Sequence, residues 1–145
     1  ESQDTILFEA TAAANGVDAL VNVDATDFLD FRAFMGVNGV TAAVAPTITI
    51  GMPAGALANE TAHVVFNKGT LASTDFGTTT TIADGAKMVF LMNADADAAA
   101  DSTVESYNIY YVQDTNATVG SVTTTVTLVG NMSTNADVVV PVLIG

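Results

Sequence analysis

The stretch KMVFLMN at residues 87–93, together with SYNIYYVQD at residues 106–114, decides the fold class of this chain. Both runs are short and consist mainly of apolar, β-branched or aromatic residues, a composition that favours β-strands. Turn-forming residues flank the two runs: Asp84-Gly85 precedes the first run, and Asp114-Thr115-Asn116 ends the second. We therefore predict a strand in each run.

Similar runs lie on both sides of this pair. They are PTITIGM (46–52), AHVVFN (62–67), SVTTTVTLVG (121–130) and DVVVPVLIG (137–145), with residues 5–9 and 17–23 as further candidate strands. Several short strands separated by frequent turn signals are typical of antiparallel sheets that pack face to face. We predict a mostly β fold, a single domain over residues 1–145 that forms an antiparallel β-sandwich or a jelly-roll-like pair of sheets.

Two short segments near the N-terminus favour helices. FEATAAAN (8–15) is rich in alanine and stops before Gly16, which suits the end of a helix. DFLDFRAFMG (27–36) begins at Asp27, a candidate N-cap, and ends at Gly36. We expect one or two short helices, which leave the mostly β class unchanged.

The charge balance excludes several classes of partner. The chain has 145 residues, of which 50% are hydrophobic and 13% charged, and its net charge is −13. Its three cationic side chains are Arg32, Lys68 and Lys87. Nucleic acid is excluded as a partner, because neutralising phosphates requires lysines and arginines.

No apolar run reaches about 18 residues, so we expect no membrane span. The chain contains no cysteine, which excludes disulfides and thiol catalysis.

Two groups of acidic residues are candidate calcium ligands, because calcium prefers six to eight oxygen ligands. The first group, to which Asn22 would add an oxygen, is Asp18, Asp24, Asp27 and Asp30. The second group, to which Glu105 would add a carboxylate, is Asp95, Asp97 and Asp101. The alternative is that these carboxylates cap turns and stay solvated. The sequence leaves both interpretations open.

Residues 4–34, DTILFEATAAANGVDALVNVDATDFLDFRAF, resemble the segment that follows the glycine-rich repeats of bacterial RTX-type, type-I-secreted proteins. The similarity lies in an Asp-Thr-Ile-x-Phe strand, then Glu-Ala, Asn-Gly-x-Asp, and an Asp-rich stretch ending in Leu-Asp-Phe-x-x-Phe. A weaker match covers residues 110–133. The resemblance implies one-step export without a cleaved leader into an extracellular, calcium-rich medium. The repeat Gly-Gly-x-Gly-x-Asp is absent, so the calcium ligands of the family are not carried over.

The sequence offers little support for catalysis. His63 is the only histidine, it lies in a predicted strand, and no Gly-x-Ser-x-Gly nucleophile turn is present. The chain also lacks tryptophan, although aromatic clefts usually surround the carboxylate pairs of glycosidases. We therefore expect a protein that is not an enzyme, with a small secreted hydrolase using paired carboxylates as an alternative.

The C-terminal run VVVPVLIG at residues 138–145 is unusually apolar for a chain end. It suits either the last strand of the chain's own sheet, with Pro141 at an edge or bulge, or a strand added to a neighbouring molecule. In the second case the subunit-contact residues would be Val138, Val139, Val140, Val142, Leu143 and Ile144.

These features together indicate a secreted bacterial structural protein that forms a homopolymer at the cell surface, as a filament or, less favoured, a surface layer. Strand contacts between subunits would hold the polymer, and calcium would offset its charge. The main alternative is a monomeric, calcium-stabilised adhesin or carbohydrate-binding module that contacts glycans. Its candidate binding face would be Tyr107, Tyr110 and Tyr111.

Overall fold

The computed structural model describes residues 3–36, 64–67, 87–94, 106–114, 124–134 and 142–143. These residues form short strands and two one-turn helices. In chain order the elements are β1 (Thr5–Leu7), α1 (Ala12–Asn15), β2 (Asp18–Val23), β3 (Phe28–Asp30), α2 (Arg32–Met35), β4 (Val64–Asn67), β5 (Lys87–Asn93), β6 (Ser106–Asp114), β7 (Thr124–Thr134) and β8 (Val142–Leu143). The mostly β class with two short helices is confirmed.

The described residues place five strands in the larger sheet, in the order β2-β7-β6-β5-β4. Its centre is antiparallel, with Phe90 of β5 opposite Tyr110 of β6 and Val112 of β6 opposite Val126 of β7. The outer strands run differently, because β2 pairs with β7 and β4 pairs with β5 in parallel. The sheet is therefore mixed.

The smaller sheet contains β1, β3 and β8 in the order β1-β3-β8, and both of these described pairs are parallel. Ile6 lies opposite Leu29, which lies opposite Val142 on its other side. Since β2 separates β1 from β3 in the chain and joins the other sheet, the first 30 residues contribute strands to both sheets.

The prediction of purely antiparallel pairing is therefore corrected to mixed pairing. Alternation and turn residues identify a strand, but they do not identify its neighbour when that neighbour is distant in sequence. The sandwich or jelly-roll arrangement and the single-domain boundary stay predictions. The predicted strand at 46–52 lies outside the described residues.

One hydrophobic cluster joins the two sheets. The N-terminal part contributes Phe8, Leu29, Phe31 and Phe34. The larger sheet contributes the remaining buried members, which are Val23, Val89, Leu91, Tyr107, Ile109, Tyr111, Val129 and Met132. Strand β5 is buried at every position from 88 to 92, which fits its continuous apolar sequence.

Both helices are shorter than predicted. Thr11 precedes α1 and its hydroxyl accepts a hydrogen bond from the Ala14 amide at 3.2 Å. Gly16 and Gly36 end the two helices with φ of 70° and 73°, as predicted from glycine at these positions. The N-cap assignment of Asp27 is wrong, because residues 28–30 form β3 and Phe31 precedes α2.

Neither helix is long enough to cross a membrane, and no other helix among the described residues is a candidate.

Candidate functional site

A groove with both polar and apolar lining opens at the end of the larger sheet where β5 begins. Lys87 of β5 lies opposite Gln113 of β6, which lies opposite Thr125 of β7. The next row on the same face contains Tyr111 and Thr127. Because side chains two residues apart share one face of a strand, the sheet register alone brings these five side chains together.

Lys87 is held in place by main-chain and aromatic contacts with α2. Its ammonium donates a 2.8 Å hydrogen bond to the carbonyl oxygen of Phe34 and lies 5.0 Å from the centroid of the Phe34 ring. That ring stacks on Tyr111, with centroids 3.7 Å apart and planes inclined by 11°. A carbonyl oxygen and an aromatic face both stabilise a cation, so the ammonium position is fixed before any ligand arrives.

Tyr111 links the floor of this groove to the N-terminal segment. Its hydroxyl donates a 2.7 Å hydrogen bond to the Glu9 carbonyl, and the residue is 3% exposed. Burial raises the pKa of the Tyr111 phenol well above its usual range, and the charges of Glu9 and Asp18 raise it further. Tyr111 therefore remains a protonated donor at neutral pH.

The groove, which we call the Lys87 groove, has a volume of about 260 Å³. Its polar lining comes from the sheet and from the segment before α1, and Ala10, Ala12 and Phe34 supply apolar wall. The polar lining residues are Thr11, Lys87, Tyr111, Gln113, Thr125 and Thr127. In the part of the chain that the structure describes, neither Asp nor Glu lines it. The arrangement offers one cation beside hydroxyl and amide groups, which suits binding of a small polar ligand.

Little in the sequence points to this groove. Its one local signal is a lysine at the start of an otherwise apolar strand, in a chain with three cations. Gln113 and Thr125 become its neighbours only through strand register.

A second groove of about 300 Å³ lies at the opposite end of the same sheet. Leu20 and Val21 of β2, Tyr107 of β6 and Met132 of β7 line it. Ala19, Ala94, Ser106, Asn108, Asn131 and Ser133 complete its walls. Among the described residues that line this second groove there is no carboxylate. The hydrolase alternative stays a prediction.

The first candidate calcium group is used largely for structural hydrogen bonds. Asp27 is 6% exposed, and its two carboxylate oxygens accept from the amides of Asp4 and Asp24, both at 3.0 Å. Asp24 in turn accepts from the amide and the hydroxyl of Thr26 at 2.7 and 2.6 Å. These bonds close the turn between β2 and β3 and join it to the start of β1.

The other members of that group have separate partners. Asp30 is buried and forms an ion pair with Arg32, whose Nε lies 2.9 and 3.0 Å from the two carboxylate oxygens. The Arg32 hydrogen bond holds the pKa of Asp30 below its usual range. Asp18 accepts a hydrogen bond from the side-chain amide of Asn15 at 3.2 Å, and Asn22 has a φ of 58° in the irregular part of β2.

Within the described ranges, no three His, Cys, Asp or Glu side chains are placed to share a metal ion. Asp95, Asp97, Asp101 and Glu105 lie outside those ranges, as does His63. Calcium binding therefore stays a prediction for this chain.

The three tyrosines of β6 do not form one exposed face, so that candidate glycan-binding surface is wrong. Tyr107 and Tyr111 are 1% and 3% exposed and belong to the core. Tyr110 lies on the opposite face of β6, because successive side chains of a strand alternate.

The C-terminal strand pairs within its own chain where it is described. Val142 lies opposite Leu29 and Leu143 opposite Asp30, both in β3. This is the first of the two interpretations of the C-terminal run. The remaining candidate contact residues, Val138, Val139, Val140 and Ile144, lie outside the described residues.

Exposed apolar side chains lie on or beside two outer strands of the described sheets. Leu7 of β1 and Val21 of β2 are each 71% exposed, and Val17 just before β2 is 57% exposed. Within residues 3–36, 87–94, 106–113 and 125–134, no other large hydrophobic side chain is exposed. Strands β1 and β2 each end a sheet in this part of the chain.

Comparisons with known proteins add no relative: no protein-family model, no curated protein and no solved structure matches the chain.

Proposed function

We propose that this chain is a secreted bacterial structural protein that self-assembles at the cell surface through β-strand contacts between subunits. The observation that carries the proposal is the exposure of Leu7, Val17 and Val21 on or beside the outer strands β1 and β2. Outer strands that must stay unpaired usually carry lysine or proline, and residues 3–23 contain neither. Val17, Val21 and Leu7 would favour association with another molecule where a partner covers these edges together.

The free energies of apolar burial and of association indicate what a contact between subunits requires. Burying a Leu or Val side chain contributes about 1.5–3 kcal/mol, so these three contribute on the order of 6 kcal/mol. Association costs about 4–15 kcal/mol in lost freedom of motion. The apolar side chains alone do not ensure a stable contact, and main-chain pairing has to add to them.

The shape of β2 limits where that pairing occurs. Its register with β7 is regular from Asp18 to Leu20 and shifts before Val23, and Asn22 has a positive φ. A bulge of this kind interrupts the row of main-chain donors and acceptors. We therefore place main-chain pairing at residues 18–20, with Val17 and Val21 flanking it.

The net charge of −13 opposes assembly, since like-charged subunits repel each other. Salt weakens this repulsion, and a divalent cation such as calcium offsets it more strongly. The proposal therefore includes assembly that strengthens with ionic strength and, at equal ionic strength, with calcium. The resemblance of residues 4–34 to type-I-secreted RTX proteins supports an extracellular location.

The test combines electron microscopy with light scattering, in calcium and in chelator at equal ionic strength. The informative variants are Leu7→Lys and Val21→Lys, singly and together. Each removes an apolar contact and makes the net charge less negative, so electrostatics alone would strengthen assembly. Loss of polymer in these variants would therefore identify the apolar edges as the contact.

Ala33→Lys is the matched control, because Ala33 is exposed on α2 and the charge change is the same. Deleting residues 138–145 is less informative, because β8 pairs with β3 of its own chain and its loss would also destabilise the fold. Monomers at high protein concentration in every condition would overturn the proposal.

A further inference from the structure

We propose that the Lys87 groove binds a small hydroxylated carboxylate of about the size of one sugar-acid ring. This inference is independent of self-assembly, because none of the exposed residues of β1 and β2 lines the groove.

The single positive charge of the groove favours a ligand that carries one negative charge. Lys87 is one of three cations in a chain of net charge −13, so most of the protein repels anions. An ammonium has three N–H donors, and the Phe34 carbonyl accepts from one of them. Among the described residues no Asp or Glu lines the groove, so the nearest charge that an incoming carboxylate meets there is the Lys87 ammonium. The charges of Glu9 and Asp18, which act on Tyr111, weaken this attraction without lining the groove. One ammonium balances a monoanion but not the double charge of a phosphate monoester.

The uncharged lining selects hydroxyl groups on the ligand. Gln113 carries both a donor and an acceptor, and the hydroxyl of Thr127 serves as either. Gln113 faces Lys87 across the strand pair, and Thr127 lies in the next row. Adjacent hydroxyls on a sugar ring likewise donate and accept, so they match this set better than an aliphatic acid does.

The volume limits the ligand to one ring. At about 260 Å³ the groove lies slightly below the usual range of small-molecule sites, about 300–1,000 Å³. A single six-membered ring with its substituents suits this space, and an extended glycan does not. Ala10, Ala12 and Phe34 provide apolar wall for the ring carbons.

The position of the ammonium favours binding because it is preorganised. Its hydrogen bond to the Phe34 carbonyl and its place near the Phe34 ring hold it before the ligand arrives. Less rotamer freedom is then lost on binding.

The test is a titration of the ¹⁵N-labelled full chain, followed by amide chemical shifts, with three probes. Glucuronate carries the carboxylate and the hydroxyls, glucose lacks the carboxylate, and acetate lacks the hydroxyls. We expect saturable shifts of the Lys87, Gln113 and Thr127 amides with glucuronate. Glucose and acetate should each bind at least about tenfold more weakly, since a hydrogen bond to a charged group contributes about 1.5–3 kcal/mol.

Two variants and one control complete the design. Lys87→Gln should weaken glucuronate binding at least tenfold. Ala25→Glu, which makes the same change in net charge at an exposed position outside the groove, should leave binding unchanged. Gln113→Glu keeps the shape of the side chain and adds a negative charge beside Lys87. It should abolish glucuronate binding even if Lys87→Gln proves too unstable to study.

Three results would overturn the inference. The first is the absence of saturable shifts up to about 50 mM glucuronate, a range that covers weak single-ring ligands. The second is equal binding of glucuronate to the wild type and to Gln113→Glu. The third is a shift of the same three amides with protein concentration, without any probe, in the double variant Leu7→Lys and Val21→Lys. Because this variant lacks the proposed assembly contact, such a shift would identify a second copy as the occupant of the groove.

Discussion

The side-chain amide of Asn15 donates a 2.8 Å hydrogen bond to the main-chain carbonyl of Val129, which lies 114 residues further along the chain. Val129 occupies an irregular position in β7: Ile109 pairs with Gly130 and Tyr110 with Leu128, which leaves Val129 as the extra residue of a bulge. The same Asn15 side chain accepts from the Glu9 amide at 3.0 Å. Asn15 therefore fastens the N-terminal segment to the larger sheet at its bulge.

Replacing Asn15 with alanine should destabilise the fold by about 1–3 kcal/mol, because the carbonyl of the buried Val129 would lose its side-chain partner. Urea denaturation at neutral pH measures this as a lower midpoint at unchanged slope. Asn131→Ala is the control, since Asn131 is exposed on the same strand and should change stability by less than about 0.5 kcal/mol. Equal effects of the two variants would contradict the role assigned to Asn15.

Asp27→Ala should also destabilise the protein, by about 2–3 kcal/mol, because two amides would lose a charged acceptor. If Asp27 acts only through these bonds, the loss of stability is the same in calcium and in chelator. If it is a calcium ligand, calcium stabilises the wild type more than the variant. Thermal unfolding of both proteins in both buffers distinguishes the two roles, and Ala25→Gly in the same turn, at an exposed position, is a control for changes in the turn backbone.

The local features of the fold were readable from the sequence. The strands at 87–93 and 106–114 have the predicted bounds, and the two glycines end their helices, because these features depend on neighbours in the chain. Phe28–Asp30 was assigned to a helix and is a strand, since β1 and β8 pair with it from distant parts of the chain.

The contrast between local and long-range contacts also applies to the two candidate sites, the group of aspartates and the Lys87 groove. The aspartates were visible in the sequence, but their use by main-chain amides, as with Asp27 and the amide of Asp4, depends on contacts between distant residues. The Lys87 groove was missed because strand register, which a single sequence does not specify, places Gln113 and Thr125 beside Lys87. Pairing partners, rather than strand positions, are what the sequence left open.

The ion pair of Asp30 with Arg32 predicts a loss of stability in acid. Arg32 depresses the pKa of the folded-state carboxyl, so the contribution to stability is present above the unfolded-state value of about 3.9. It is lost as the pH falls through the lower, folded-state pKa. Arg32→Gln should therefore lower the urea midpoint at pH 7. The difference in midpoint between this variant and the wild type should become smaller as the pH is lowered towards 2. A difference that stays constant with pH would show that Arg32 acts through packing rather than charge.

The buried phenol of Tyr111 predicts a loss of stability in base. Its pKa is raised in the folded state, so above the unfolded-state value of about 10 the unfolded chain releases a proton that the folded chain retains. Stability should fall as the pH rises from 9 towards 11, more steeply in the wild type than in Tyr111→Phe. At neutral pH the same variant should lose about 0.5–1.5 kcal/mol, the contribution of the hydrogen bond to the Glu9 carbonyl. Ultraviolet titration of phenolate absorbance checks the assignment, because in the folded wild type the Tyr111 phenolate should appear only when the protein unfolds. If Tyr111→Phe removes a phenolate that forms in the folded wild type near pH 10, the phenol is not buried as described.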